Sequence, residues 1–171
     1  VPGEKFLLYV GGISPHKNIQ PLVEAFCSLM NHEALRDVKL VLIGDYQGDV
    51  FFSSYQSLLE RVKALQAETR VVFTGFVPDA DLPHWYTAAE VLVLPSVDEG
   101  FGLPALEAMA CGTAVAASRA GALPEVIGDA GILFDPRSVA ELRAALERIL
   151  TDAPLRAGLS AKGLQRAAQF T

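Results

Sequence analysis

The chain has 171 residues, 51% of them hydrophobic, and its 20 Asp and Glu outnumber its 14 Lys and Arg to leave a formal charge of −6. That size and apolar content suit one domain with a substantial core. The acidic balance, with no run of Lys or Arg, excludes a nucleic-acid footprint or a polybasic lipid-binding face, so partners are expected in a specific pocket.

In chain order, six short β-type runs alternate with helix-length segments: Phe6–Gly11, Val38–Gly44, Val71–Gly75, Glu90–Pro95, Thr113–Ser118 and Gly131–Phe134. Most are continuously apolar, as strands are when crossover helices bury both of their faces. The expected fold is therefore α/β, a doubly wound parallel sheet with helices on both faces. Leu22, Val23, Phe26, Leu29 and Met30 have helical spacing, as do Leu142, Ala145, Leu146, Ile149 and Leu150. Asn18 is placed to cap the first helix, with Pro21 in its first turn, where a missing N–H costs nothing. Residues Pro154 to Phe170 read as a final helix with no strand after it. With no repeat, linker or low-complexity segment, residues 1–171 are expected to form a single domain.

Cys27 and Cys111 are too few and too far apart for a disulfide framework, and read as small, half-buried apolar residues. His16, His32 and His84 lack metal-ligand spacing and are expected at the surface or in packing roles. No basic stretch followed by an apolar run opens the chain, and its apolar runs fall well short of the roughly 18 residues of a membrane span. A start at Val1-Pro2 and a stop at Phe170-Thr171 read as trimmed ends of a longer protein.

In an open parallel sheet, ligands bind beyond the carboxyl ends of the strands. The segments there are Gly11–Lys17, Asp45–Asp49, Phe76–Asp79, Ser96–Leu103, Arg119–Gly121 and Asp135–Ser138. The most informative runs from Pro95 through Ser-Val-Asp-Glu-Gly-Phe-Gly-Leu-Pro-Ala-Leu to Glu107, from a strand end through a glycine-containing loop into a helix. Pro104 suits the first helical position, with Leu103 as the cap. Gly100 and Gly102 allow close backbone approach, and free N–H groups at a helix start suit a diphosphate. Glu107, one turn into the helix on the face of Pro104, can accept two hydrogen bonds from a vicinal diol such as a ribose, and Glu99 can reach a sugar hydroxyl. Taken singly, each Glu reads more readily as a favourable charge near a helix N-terminus.

The string Glu-Gly-Phe-Gly-Leu-Pro-Ala-Leu-Glu-Ala-Met-Ala-Cys-Gly from residue 99 resembles the signature of retaining GT-B glycosyltransferases of the group-1 family. Tyr-Val-Gly-Gly-Ile-Ser-Pro-His-Lys-Asn at 9–18, Phe-Thr-Gly-Phe-Val-Pro-Asp at 73–79 and Gly-Ala-Leu-Pro-Glu at 121–125 follow in the family's order, so the resemblance covers essentially the whole chain. It implies the C-terminal, Rossmann-like donor-binding half of a GT-B enzyme, whose acceptor-binding domain would precede this sequence. Lys17 then matches a phosphate-binding cation, and Gly11 and Gly12 a turn close to the diphosphate. Gly12 stands where the family often has Arg, which shifts phosphate binding toward Lys17 and the helix start. Phe76 and Val77 match the segment holding the nucleobase edge, Glu107 the ribose-binding acid, and Glu99 the acid near the transferred sugar. Gly100, Phe101, Gly102 and Leu103 match the loop under sugar and diphosphate. For Phe76 and Phe101, core packing is the rival role.

The implied reaction moves a hexose from a nucleoside diphosphate to a hydroxyl acceptor with retention, in polysaccharide or glycolipid synthesis. Lys17 and the amides of Gly102–Ala105 would stabilise the departing diphosphate, and Glu99 would position sugar hydroxyls. A UDP-sugar is favoured over a GDP-sugar, no metal or other cofactor is implied, and this half alone should bind donor with little transfer. The setting implied is cytoplasmic, at the inner face of the plasma membrane, with peripheral association through the parent protein. A non-catalytic nucleotide-sugar-binding module and a GT-B epimerase or phosphorylase-type enzyme are the competing readings. A nicotinamide-dependent oxidoreductase is weaker, because Val10-Gly-Gly-Ile-Ser-Pro-His does not match G-x-G-x-x-G spacing.

Overall fold

A computed structural model describes residues 3–46 and 55–170; residues 47–49 of the segment expected after the second strand, and the terminal Val1, Pro2 and Thr171, lie outside the described residues. Six strands are present: β1 (Phe6–Val10), β2 (Lys39–Ile43), β3 (Val71–Gly75), β4 (Val91–Leu94), β5 (Val115–Ser118) and β6 (Gly131–Phe134). Each lies inside its apolar run from the sequence. All pair in parallel, in the order β3-β2-β1-β4-β5-β6. Winding runs outward from β1 to β3, then returns to add β4 on the other side, so the strand order reverses between β1 and β4. At that reversal the connections leave in opposite directions and open a crevice at the carboxyl ends.

The helices are α1 (Ile19–Leu29), α2 (Tyr55–Ala64), α3 (Leu82–Ala88), α4 (Leu103–Ala110), α5 (Leu123–Ile127), α6 (Val139–Thr151) and α7 (Ala153–Ala167). They cover both faces of the sheet, giving the Rossmann-like architecture expected. Helix α1 packs with α2 and α6, and α4 packs with α3, α5 and α7. The expected apolar stripes face inward: Leu22, Val23, Phe26 and Leu29 of α1, and Leu142, Ala145, Leu146 and Ile149 of α6, are all buried. Between these layers Leu7, Leu8, Leu40, Val41, Leu42, Leu92 and Val93 are wholly excluded from solvent. Each such side chain contributes about 1.5–3 kcal/mol of transfer free energy, offset by the chain entropy lost on folding. Cys27 and Cys111 are free thiols, each half-buried, as expected. No helix among the described residues is long and apolar enough to cross a membrane.

Three boundary expectations change. The last helix begins at Ala153 and ends at Ala167, passing into a 3-10 turn over Ala168–Phe170, because the Asp152 carboxylate caps it by accepting from Leu155 N–H at 2.9 Å. Helix α4 is capped by Gly102, not Leu103, which moves Pro104 from first to second helical position. Gly102 takes the left-handed conformation (φ 79°) that closes the preceding loop, which a glycine adopts with the least strain.

Asn18 stands at the N-cap of α1, but its side chain accepts no hydrogen bond from the helix. Its own backbone is left-handed (φ 59°), a conformation in which Asn is among the few tolerated side chains. That backbone aims the carboxamide away from the helix, and Nδ2 donates to the carbonyls of Pro95 at 3.0 Å and Pro136 at 2.8 Å. One side chain thus ties the connection after β1 to those after β4 and β6. Asn18→Ala is expected to cost about 2–4 kcal/mol by urea unfolding, from two carbonyls losing their donor and a Cβ left in the αL region. Asn18→Gly should cost roughly 1 kcal/mol less, because only the second contribution is relieved.

Candidate functional site

The crevice is built where the connections after β1 and β4 meet. After β1, the Gly11-Gly12 turn passes over Tyr9, whose buried hydroxyl donates to the Gly12 carbonyl at 2.7 Å. Burial, with smaller contributions from the Glu99 charge and from Tyr46, raises the Tyr9 pKa far above the phenol's usual range, so it remains a donor. Gly11 N–H donates to Ile43 C=O at 2.9 Å, and Gly44 N–H to Gly75 C=O at 3.1 Å. These bonds continue the sheet's ladder past the ends of β1 and β2 and bring the Phe76 segment into register with the glycine turn. A side chain at Gly44 would run into the Gly11 carbonyl, which accounts for glycine there.

The turn over Pro15–Lys17 then meets the segment after β4. Val97 N–H donates to the His16 carbonyl at 2.9 Å. Lys17 Nζ reaches both carboxylate oxygens of Glu99, at 3.2 Å to Oε1 and 2.9 Å to Oε2. The pair is largely shielded, with side-chain exposures of 22% for Lys17 and 15% for Glu99. Ser96, itself wholly buried, donates its hydroxyl to the same Oε2 at 2.9 Å. A cation, a carboxylate and a fixed hydroxyl therefore converge at the switch point. Such a shielded pair gains little net stability, since desolvation offsets attraction, but either partner left alone is costly. It can exchange one partner for a ligand that supplies a replacement charge.

The backbone of Glu99 is held from beneath by the connection after β5. Ala122 N–H donates to Glu99 C=O at 3.2 Å, and Gly121, at φ 54°, lies so close that a Cβ would strike that carbonyl. Gly102 is similarly packed on Leu123, where an added Cβ would lie 2.6 Å from Cδ2. At the start of α4, Ala105 N–H already donates to the Gly102 carbonyl at 2.9 Å and Pro104 has no N–H. The anion-binding amides expected over Gly102–Ala105 therefore reduce to Gly102 and Leu103, joined by Gly100 and Phe101, whose N–H groups donate to no backbone carbonyl among the described residues.

Glu107 faces solvent one turn into α4, and its Oε2 accepts from Tyr86 Oη at 2.6 Å, which leaves Oε1 and the second lone pair of Oε2 able to accept further hydrogen bonds. The two aromatic residues given core packing as a rival role are not in the core: Phe76 is 71% exposed and Phe101 47%, alongside exposed Leu103. Phe101 meets Phe170 edge-on, with ring centroids 6.1 Å apart. Val77 is half-buried against the core. Phe76 borders a cleft of about 390 Å³ whose floor is the ring cluster of Tyr46, Tyr55 and Phe73. Lys17, Glu99 and the glycine turn thus share one centre, Glu107 lies on the adjoining helix, and Phe76 and Val77 follow the edge strand β3, two strand spacings or about 10 Å from β1.

Tyr9, Asn18, Gly44, Tyr86, Ser96 and Gly121 escape the sequence reading of this site. Gly44 and Gly121 carried a local signal, each being a glycine just beyond a strand. Tyr86 carried none, since its contact with Glu107 spans 21 residues between different helices.

The model of the glycosyl transferases group 1 family matches residues 1–166. O-antigen chain mannosyltransferase B of Escherichia coli is 40% identical over 168 residues, which cover 97% of this chain and 42% of that protein. The chain thus spans about two fifths of that relative. Among solved structures, the C-terminal domain of a glycosyl transferase group 1 family protein from Francisella tularensis superposes with a TM-score of 0.86 at 32% identity, covering 99% of this chain and 87% of that one. HepE of Anabaena in complex with UDP-glucose superposes with a TM-score of 0.86 at 26% identity, covering 98% and 44%.

The close approach of Gly121 to Glu99 generates a prediction. Gly121→Ala should lower stability by about 1–3 kcal/mol in denaturant unfolding, through αL strain and a displaced 99–100 loop. An unchanged midpoint would mean that this loop relaxes freely around a methyl group.

Proposed function

The chain belongs to the glycosyl transferases group 1 family, and from that premise we propose that it is the C-terminal, donor-binding half of a retaining hexosyltransferase. The observation that carries the proposal is the meeting of Lys17 with Glu99 at the switch point, beside the N–H groups leading into α4 that donate to no backbone carbonyl among the described residues. A nucleoside diphosphate sugar fits this arrangement in one direction. Its diphosphate lies against Gly11, Gly12, Lys17 and the amides of Gly100–Leu103, its ribose diol on Glu107, and its base along the backbone of Phe76 and Val77. The sugar comes to Glu99, over Gly100 and Phe101.

The chemistry follows from those positions. As the glycosidic bond breaks, negative charge grows on the diphosphate, where Lys17 and the loop amides are already oriented. Lys17 leaves Glu99 for the phosphate oxygens, and the released carboxylate, still held by Ser96, accepts hydrogen bonds from the sugar's hydroxyls. The acceptor hydroxyl attacks from the face the diphosphate leaves, giving retention, and a phosphate oxygen takes its proton. Glu99 positions and supports charge; it forms no covalent bond. The acceptor site belongs to a preceding domain, and this half alone binds donor with little transfer. Lys17 and the amides supply the positive charge, so no metal is required in this reading.

HepE, seen with UDP-glucose on the same fold, supports a UDP-sugar as donor. The mannosyltransferase relative favours a second reading in which the same site takes a mannosyl donor such as GDP-mannose. That this relative is an O-antigen chain mannosyltransferase supports polysaccharide or glycolipid assembly; in this reading the parent protein is peripheral at the cytoplasmic face of the plasma membrane.

Calorimetric titration with UDP, GDP, UDP-glucose and GDP-mannose, with and without added magnesium, tests the site and names the base. One nucleotide should bind selectively and equally well in both conditions. Lys17→Ala and Glu107→Ala should each weaken it by about tenfold or more, since each removes a charge-assisted contact. Binding unaffected by either substitution would overturn the placement of diphosphate and ribose.

A further inference from the structure

A carboxylate that selects a ribose must do more than be present. The two hydroxyls of a diol are met together only when both carboxylate oxygens lie in one plane at one rotamer. Glu107 is exposed on the outer side of α4, where a glutamate side chain is ordinarily free to sample several rotamers. Tyr86 removes that freedom. Its ring is 1% exposed, and its hydroxyl donates to Glu107 Oε2 at 2.6 Å, a short charge-assisted bond.

The tyrosine is itself immobilised. Its carbonyl, at the end of α3, accepts from the buried Thr113 hydroxyl at 2.6 Å and from Ala89 N–H at 3.1 Å. Helix α3 is thereby clamped to the segment leading into β5, while also packing on α4. Burial and the bond to Glu107 raise the pKa of the phenol well above its ordinary value, so the hydroxyl remains a donor at any working pH. Nothing in the proposed transfer chemistry uses Tyr86.

We propose that Tyr86 is the positioning residue for ribose recognition, holding Glu107 in the one orientation in which it accepts both hydroxyls of the donor's diol, and that it sets the discrimination between ribo- and 2′-deoxyribonucleotides. This inference rests on the donor-site reading above. A nucleotide lacking the 2′-hydroxyl leaves an oriented acceptor without a donor, whereas a freely rotating Glu107 would turn that acceptor to water. Fixing the carboxylate therefore sharpens discrimination as well as affinity.

The test compares the chain with Tyr86→Phe and Glu107→Ala, using UDP and 2′-deoxy-UDP, and GDP and 2′-deoxy-GDP in parallel. Phe keeps the buried ring and removes only the hydroxyl, and thermal unfolding verifies that the fold is retained. The expected result is that Tyr86→Phe weakens the ribonucleotide about three- to tenfold and leaves the deoxynucleotide within twofold. Glu107→Ala should abolish the preference entirely. If Glu107→Ala abolishes the preference while Tyr86→Phe leaves it intact, the positioning role is overturned and the ribose site stands. A loss of affinity for both nucleotides alike in Tyr86→Phe would make Tyr86 a packing residue only, also against the proposal. If the unsubstituted chain shows no ribonucleotide preference, or binds none of the four, the ribose site and its positioning residue fall together.

Discussion

The site depends on one constraint: the connections after β1 and β4 are fastened to each other at the point where the strand order reverses. A crevice between diverging chains is open by construction, and open loops alone would not hold a cation and a carboxylate in register. Here the fastening is made of backbone and carboxamide bonds. Val97 N–H donates to His16 C=O, and Asn18 spans Pro95 and Pro136 from within the same three-residue stretch. Lys17 lies between these two anchors, so its root is fixed from both sides. The Lys17–Glu99 contact is then a consequence of the loop geometry as much as a cause of it. That division suits a cation which exchanges partners, because the crevice keeps its shape when the pair opens.

Glycine placement serves the same end by another physical route. Gly44 and Gly121 approach neighbouring backbone so closely that any side chain would displace it, Gly44 against Gly11 and Gly121 against Glu99. Both act by fixing the position of the residue they pack against, Gly11 and Glu99, which the proposed donor site uses. Gly12 and Gly100 differ, since nothing lies near the place a Cβ would occupy. Their small size leaves open space, which the proposed donor would use. The glycines of one crevice thus fall into two physical classes, some packed tight against neighbouring backbone and others facing open space.

Much of this architecture was legible in the chain because its signals were local. Continuous apolar runs located all six strands, and helical spacing identified the buried faces of α1 and α6. The short α3, with seven residues, offers too few turns for a periodicity to emerge. Strand order was not legible, since parallel runs of similar composition carry no local mark of which neighbour they choose. At the site, the two glutamates and Lys17 announced themselves through the strings around them, yet the partnership of Lys17 with Glu99 spans 82 residues and needed the fold to reveal it. The role of Asn18 inverted for a like reason. Asn before a helix is ordinarily a cap, but its left-handed backbone turned the carboxamide toward carbonyls distant in sequence.

The paired acids share a feature that separates them from ordinary charges at a helix start. Glu99 and Glu107 each have one carboxylate oxygen engaged by a hydroxyl whose own residue is buried, Ser96 for Glu99 and Tyr86 for Glu107. A glutamate present only to complement the helix dipole needs no such partner, because that attraction varies slowly with side-chain rotation. A buried hydroxyl aimed at one oxygen constrains direction, and direction matters only when something must be met at a definite place. The same arrangement also resists collapse. When Lys17 turns away from Glu99, Ser96 retains its hold on Oε2, so the carboxylate does not swing out after its departing partner. In the proposed donor site the acids are therefore oriented before the ligand arrives, and the reorganisation on binding would fall mainly on the single flexible side chain of Lys17.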